Sequence, residues 1–294
     1  SDDREVPLAI KIREPLVSDD ATAIELGITE LVSVGRTYFR GSSSARVHNV
    51  ATAASRFHGV VVRPRTVFSF NHYLGEVTRE GGYEDAPVIS VGRTTQDVGG
   101  GVCQVSTTSF QAVFYGGFQI LTRSPHGYRV AYYEYGEGPG MDATVFFPHT
   151  DFQFFNDTPY HLLLETYVSE TASSLTFKIY STSDGRSVEK LETEVLNEVP
   201  HPPDRYDENP DLEEGQIKQI DVSADGADVW VRRIVRSADG EILREDVFYS
   251  HYLPWQAVYE YGPGTELPTP EPTETPEGET AAEADATPTA TTAP

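Results

Sequence analysis

The sequence predicts an α+β protein, mostly antiparallel β with two helices in a main domain and a small all-β unit at its C-terminal side. Three observations carry that reading. Short runs rich in β-branched and aromatic residues recur between Gly, Pro, Asn and Asp punctuation, from Val60 to Tyr180 and again from Ile217 to Tyr261. Two stretches, SSARVHNVATAASRF and VCQVSTTSFQAVFY, place apolar residues at helical spacing. The chain has 294 residues, enough for two domains on the usual relation of length to domain number.

Taken in order, Val6, Leu8, Ile10 and Ile12 alternate with polar neighbours, as a strand would. A first helix is expected over about 44–58, where Val47, Val50, Ala54 and Phe57 share a face, Ser42 to Ser44 offer an N-cap and Gly59 a stop. VVVRPRTVFSFNHYLG reads as two short strands around Pro64, and EVTREGGYEDAPVIS as a glycine turn and a further strand. A second helix follows over about 104–115, closed by Gly116-Gly117. Next, FQILTRSPHGYRVAYY predicts strand, turn at Pro125 to Gly127, and strand, and ATVFFP, DFQFFN, YHLLLETYVS and SLTFKIYST predict strands as far as Tyr180. A boundary is expected between about 185 and 212, where VPHPPDRYDENPD resembles a linker, so that a domain of 26–185 precedes a β unit of 186–264. Ala238-Asp239-Gly240 marks a hairpin within that unit. Residues 265–294, rich in Pro, Thr, Glu and Ala, have too little apolar mass to offset the entropy of ordering and are expected to be disordered, a composition suited to an extracellular stalk.

Composition narrows the partners. A formal net charge of −24 disfavours nucleic acid and anionic membrane surfaces, which want a basic face. No run of about 18 apolar residues exists to span a bilayer, and no signal peptide opens the chain. One cysteine excludes an internal disulfide and a multi-cysteine zinc site. Neither a phosphate-binding P-loop, a dinucleotide fingerprint nor HExxH appears, so no cofactor and no metal are expected.

The candidate chemistry lies at DVGGGVCQVSTTSFQAVFY. Gly99, Gly100 and Gly101 allow a sharp turn with exposed N–H groups, and Cys103 falls in the first turn of the helix that follows. Unpaired N–H groups and the helix dipole favour a thiolate there, which makes Cys103 a candidate nucleophile; the bland alternative is a small buried hydrophobe. A cysteine acting on acyl groups needs a base and an oxyanion site. Of eight histidines, His126 in SPHGY is best placed, in a turn that a hairpin could return to the glycine loop. Asp142 in GMDATV is the candidate to orient the imidazole, with Asp97 and Asp151 as weaker options. Backbone N–H groups of the Gly99 to Cys103 turn are the expected oxyanion donors, and Gln104, Ser106 and Thr107 are included as candidate substrate contacts.

The same motifs carry a resemblance. TVFSFNHYLGEVT, GGYEDAPVI, DVGGGVCQVSTTSFQAVFYGG, RSPHG and GMDATVFFP followed by DFQFFN, in that order over about 25–165, resemble the VanW-like domain family. Residues 190–264 more loosely resemble the small five-glycine β domain, through Gly215, Gly226, Gly240 and Gly262, and the first 25 residues resemble the end of a peptidoglycan-binding region. The resemblance implies an exported, cell-envelope protein whose partners are peptidoglycan stem peptides and glycan strands. Some members of the family are understood to be L,D-transpeptidases, which implies Cys103 as nucleophile and His126 as its base. A different class stays open: a non-catalytic envelope-binding module in which Cys103 is inert.

Overall fold

The computed structural model describes residues 17, 18, 20–90 and 93–268. The strand expected around Val6 to Ile12 and most of the 265–294 tail lie outside the described residues. The architecture is α+β and predominantly antiparallel, and the central object is a helix, α3 (Val102–Tyr115). Twelve of its residues are buried, so it is a core helix covered on all sides and not a surface helix with one wet face.

One side of α3 is covered by a four-stranded antiparallel sheet in the order β1 (Glu30–Tyr38), β9 (Ser174–Ser181), β8 (Leu162–Ser169) and β2 (Val60–Val62). Gly35 lets β1 lie directly on the helix backbone, because a Cβ there would fall 2.2 Å from the Thr108 carbonyl oxygen. The first helix, α1 (Ser44–Ser55), packs beside α3 and is capped by Ser43, whose hydroxyl accepts from the Arg46 N–H at 3.3 Å. Further strands form a three-stranded sheet from β3 (Val67–Ser69), β7 (Gln153–Phe155) and β6 (Gln119–Thr122), and a hairpin from β4 (Asp85–Ser90) and β5 (Arg93–Val98).

Downstream, a long hairpin of β14 (Gly226–Arg236) and β15 (Ile242–Tyr252) turns at Asp239-Gly240 and takes β10 (Ser187–Lys190) and β11 (Glu194–Val199) onto β14. A last sheet joins β12 (Arg205–Glu208), β16 (Val258–Tyr261) and β13 (Ile217–Asp221). Ala227, Val229, Val231 and Tyr252 of the hairpin belong to the same hydrophobic core as Val105, Phe110 and Phe114 of α3, so one core continues across residue 186. No helix among the described residues is long and apolar enough to cross a membrane.

Four segments differ from expectation. The strand expected at YRVAYY is a single helical turn, α4 (Ala131–Glu134), which turns Tyr133 inward against His126. The strand expected at ATVFFP makes only isolated bridges, Ser124 with Thr144 and Phe146 with Thr150, because its backbone carbonyls are taken by side chains of α3. FNHYL forms one helical turn, α2 (Phe70–Leu74), because Ser69 accepts from the His72 N–H and the Asp151 carboxylate from the Asn71 N–H, capping a turn where the pattern reads as β. Finally, the linker-like stretch between 185 and 212 contains β10, β11 and β12; Val188 and Val195 pack on the core, and that burial outweighs the proline and acid content around them.

Candidate active site

The glycine run meets a separate requirement at each position. Gly100 packs against β4, where a Cβ would lie 2.5 Å from the Pro87 carbonyl oxygen. Gly101 is the N-cap residue of α3 with φ of +116°, a conformation that strains any side chain. Asn49 of α1 clamps the loop from behind: its amide donates to the carbonyls of Gly100 (3.0 Å) and Glu84 (2.9 Å), and its Oδ1 accepts from the Glu84 N–H. Cys103 is therefore held as the second residue of a 14-residue helix, partly exposed, with Sγ 3.5 Å from both Thr144 Oγ1 and the Val145 carbonyl.

His126 comes from the loop between β6 and α4 and is 4% exposed. Its Nδ1 lies 2.5 Å from Asp142 Oδ2, and its backbone N–H donates to the same oxygen at 2.8 Å. This pairing assigns the proton to Nδ1 and directs Nε2 away from the carboxylate. Nε2 is buried and has no hydrogen-bond partner among the described residues. Cys103 and His126 each perturb the titration of the other, as neighbouring ionisable groups do.

Asp142 is 5% exposed and receives four donors. Besides the two from His126, Arg123 Nη2 donates to Oδ1 at 2.9 Å and the Tyr252 hydroxyl to the same oxygen at 2.5 Å. Arg123 is itself fixed by the carbonyls of Asp142 (2.6 Å) and Gly140 (2.9 Å) and by Ser250 Oγ (2.8 Å). Tyr252 and Ser250 belong to β15, so the C-terminal hairpin reaches into this cluster.

The electrostatics follow from those contacts. Burial alone would raise the Asp142 carboxyl, but His126, Arg123 and Tyr252 outweigh it and hold the group well below the usual carboxylate range. Burial would lower the imidazole; the Asp142 carboxylate and the Cys103 sulfur outweigh it and raise His126 well above its ordinary value. Burial would also raise the Cys103 thiol, yet the His126 imidazolium and the Thr144 hydroxyl bring it below its ordinary value. Opposite shifts in adjacent groups favour proton transfer from sulfur to imidazole, giving a thiolate–imidazolium pair.

The structure thus brings together Cys103, His126 and Asp142 and separates the remaining candidates from them. Gln104, Ser106 and Thr107 are fully buried and cannot contact a substrate. Gln104 bridges Arg46 and Thr37, while Ser106 and Thr107 both donate to the Ala143 carbonyl, tethering the strand segment that carries Asp142. Gly99 is unsuited as an oxyanion donor, because its N–H is spent on the Glu84 carbonyl at 3.1 Å; the N–H groups of Gly101 and Cys103 make no hydrogen bond among the described residues. Asp151 caps α2, and Asp97 is exposed on β5 with its carboxylate on the Val98 N–H. Arg123, Thr144 and Tyr252 were missed. Arg123 sits three residues before His126 in RSPHG and could have been suspected as a carboxylate partner, whereas Tyr252 is 110 residues from Asp142 and carries no local signal.

A family model described as VanW like protein matches residues 45–180. An uncharacterized protein, YoaR, of Bacillus subtilis (strain 168) is 36% identical over 167 residues, covering 55% of this chain and 53% of its own length. The vancomycin B-type resistance protein VanW of Enterococcus faecalis (strain ATCC 700802 / V583) is 29% identical over 118 residues, 38% of this chain and 42% of its own. The chain spans about half the length of these curated relatives. Among solved structures, an IgA1 protease G5 domain aligns with 27% of this chain and 96% of its own at 23% identity and a TM-score of 0.16, too low to support a shared fold. The segment 45–180, which contains Cys103, His126 and Asp142, is a VanW-like domain.

Proposed function

We propose that the protein is a cell-envelope cysteine acyltransferase acting on peptidoglycan stem peptides, with L,D-transpeptidation as its reaction. The observation that carries this reading is the buried, unpartnered Nε2 of His126, in a ring oriented by Asp142, together with a thiol of lowered pKa at a helix start. A histidine kept only for packing would pair both nitrogens or turn one to water. The likeness to a protein named for vancomycin resistance supports the envelope setting and a peptidoglycan peptide as substrate.

In the proposed reaction the Cys103 thiolate attacks a stem-peptide carbonyl. The C–S bond forms as the carbonyl π electrons move to oxygen, where the Gly101 and Cys103 N–H groups are available as donors. Collapse of that intermediate breaks the C–N bond, and the departing amine takes the proton held on His126 Nε2. The amine of a second peptide then gives a proton to His126 and attacks the thioester, releasing the thiolate. Asp142 does not exchange a proton; it holds the imidazole and stabilises its charged form.

The test is the Cys103→Ala variant, assayed for cross-linked muropeptides by mass spectrometry beside a thermal melt. Loss of the cross-linked products with the melt unchanged supports the reading, and cross-linking that survives the change overturns it. A covalent carbapenem adduct on Cys103 is expected in the wild-type protein. Absence of both adduct and product would leave the protein a non-catalytic envelope-binding module.

A further inference from the structure

Arg46 is the least explained charge in the molecule. It is 8% exposed and lies beside the glycine loop, close enough that a Cβ on Gly101 would stand 3.3 Å from its Cγ. Burying a cation is costly unless an opposite charge accompanies it. The other deeply buried guanidiniums follow that rule: Arg123 pairs with Asp142 and Arg233 with Asp246. Arg46 has no carboxylate within ion-pair distance among the described residues, in a chain with 46 acidic and 22 basic residues. Carboxylates are abundant, and none is placed here.

Its contacts fix the guanidinium without neutralising it. Nη1 donates to Ser42 Oγ at 2.9 Å and to Gln104 Oε1 at 2.8 Å, and the Gln104 amide is locked in that orientation by donating to Thr37 Oγ1 at 3.0 Å. One face of the guanidinium rests on the Tyr132 ring, 5.0 Å from its centroid. Burial works against the charge of Arg46 and the neighbouring Tyr132 and Tyr133 hydroxyls outweigh it, yet Nε and Nη2 hold no well-formed hydrogen bond among the described residues, and together they form the edge that carboxylates take with two parallel bonds. The Tyr132 ring under the guanidinium stands 4.6 Å from the Tyr133 ring, whose centroid is 5.3 Å from that of His126, so a run of rings connects Arg46 to the imidazole.

We propose that Arg46 binds a carboxylate of the acyl-donor peptide and thereby places the scissile carbonyl at Cys103. The inference rests on the acyl-transfer reading and adds the chemical class of donor: a peptide that carries a free carboxylate near the bond to be broken. Two sources present that chemistry, the C-terminal carboxylate of a residue expelled as the leaving amine and a side-chain carboxylate within the donor.

The experiment compares alkylation of Cys103 by iodoacetate and iodoacetamide, reagents with the same leaving group that differ in charge. The iodoacetate-to-iodoacetamide rate ratio is expected to fall about 10-fold in Arg46→Gln and by less in Arg46→Lys, which keeps the charge but not the fork. An unchanged ratio in Arg46→Gln overturns the proposal. Should that variant not fold, wild-type protein decides: sodium acetate must slow alkylation by iodoacetamide more than sodium chloride at equal ionic strength, and equal slowing overturns the proposal. Donor peptides amidated at the C-terminus or at the side chain then identify the source, the amide that raises KM about 10-fold marking the carboxylate that Arg46 holds. A ratio that falls while no donor turns over would sink the acyl-transfer reading and leave the anion site standing.

Discussion

Cys103, His126 and Asp142 form a chain of opposed titrations in which each group is charged because the next one is. The ordinary values of the isolated groups are 9.0 for the thiol, 6.5 for the imidazole and 3.8 for the carboxyl. With the thiol lowered and the imidazole raised, a proton shared by the pair is favoured on nitrogen over sulfur. Alkylation of Cys103 by iodoacetamide should therefore have its midpoint below pH 9.0, and Asp142→Asn should move that midpoint upward by weakening the imidazolium that holds the thiolate. A midpoint left in place by that substitution would remove Asp142 from the account. Stability follows from the same directions. The raised imidazole contributes stability that is complete below about 6.5 and is lost as pH rises through its folded value. The lowered thiol contributes stability that is complete above about 9.0 and lost as pH falls through its folded value. Between 6.5 and 9.0 the raised imidazole and the lowered thiol act on the pH slope of stability with opposite sign. Asp142 acts at the acid end: its contribution is complete above about 3.8 and falls away as pH drops through its lowered folded value. Urea melts of wild type and Asp142→Asn should differ at neutral pH and converge in acid.

The element that makes the site is α3 together with the turn that feeds it. The helix is surrounded by protein, so its serines, threonines and glutamines act as tethers, and only Cys103 near its start and Tyr115 at its end are partly exposed. Its start is fixed by close approach more than by capping, since Gly101 offers no side-chain cap. Gly100→Ala should therefore be expensive: the added methyl meets the backbone of Ala86 and Pro87, which cannot swing aside, and overpacking of this kind costs about 1–3 kcal/mol. Gly127→Ala makes a suitable control, because a Cβ there meets nothing within 4 Å and the backbone is not in the left-handed region. A thermal melt of the two variants should show a large drop for the first and little change for the second. Equal melts would mean that β4 does not press on the loop as described.

At the scale of the whole molecule, the β14–β15 hairpin is part of the site and not an appendage to it. Tyr252 donates to Asp142, Ser250 steadies Arg123, and Arg233 caps the far end of α3 by donating to the carbonyls of Val113, Phe114 and Phe118. Burial pulls the Arg233 guanidinium down to about 10 against the Asp246 carboxylate that keeps it charged. Tyr252→Phe should weaken the hold on Asp142, costing about 1.5–3 kcal/mol for a bond to a charged acceptor, with a matching upward shift of the Cys103 alkylation midpoint. A fragment ending at residue 185 would expose the face of Phe110 and Phe114 that packs on Phe248 and leave the α3 carbonyls without Arg233. It is expected to lack a cooperative melt by circular dichroism, and a fragment that unfolds cooperatively would show the two parts to be independent.

Local information in the chain was enough for the antiparallel β content, both long helices, the Asp239-Gly240 hairpin and the placing of Cys103 at a helix start. Each depends on periodicity or on glycine, proline and cap residues a few positions apart. Sequence also singled out His126 and Asp142, through a turn and a strand entry, but not the distance between them. Other features were beyond local pattern. YRVAYY alternates as a strand would and is a helical turn, because Tyr133 is needed against His126. Gln104, Ser106 and Thr107 have the polarity of a binding surface and are buried ties, because α3 is enclosed on every side. The partners of Asp142 and the solitary charge of Arg46 exist only when segments as far apart as 46, 104, 142 and 252 meet, and packing at that range leaves no trace in residue spacing.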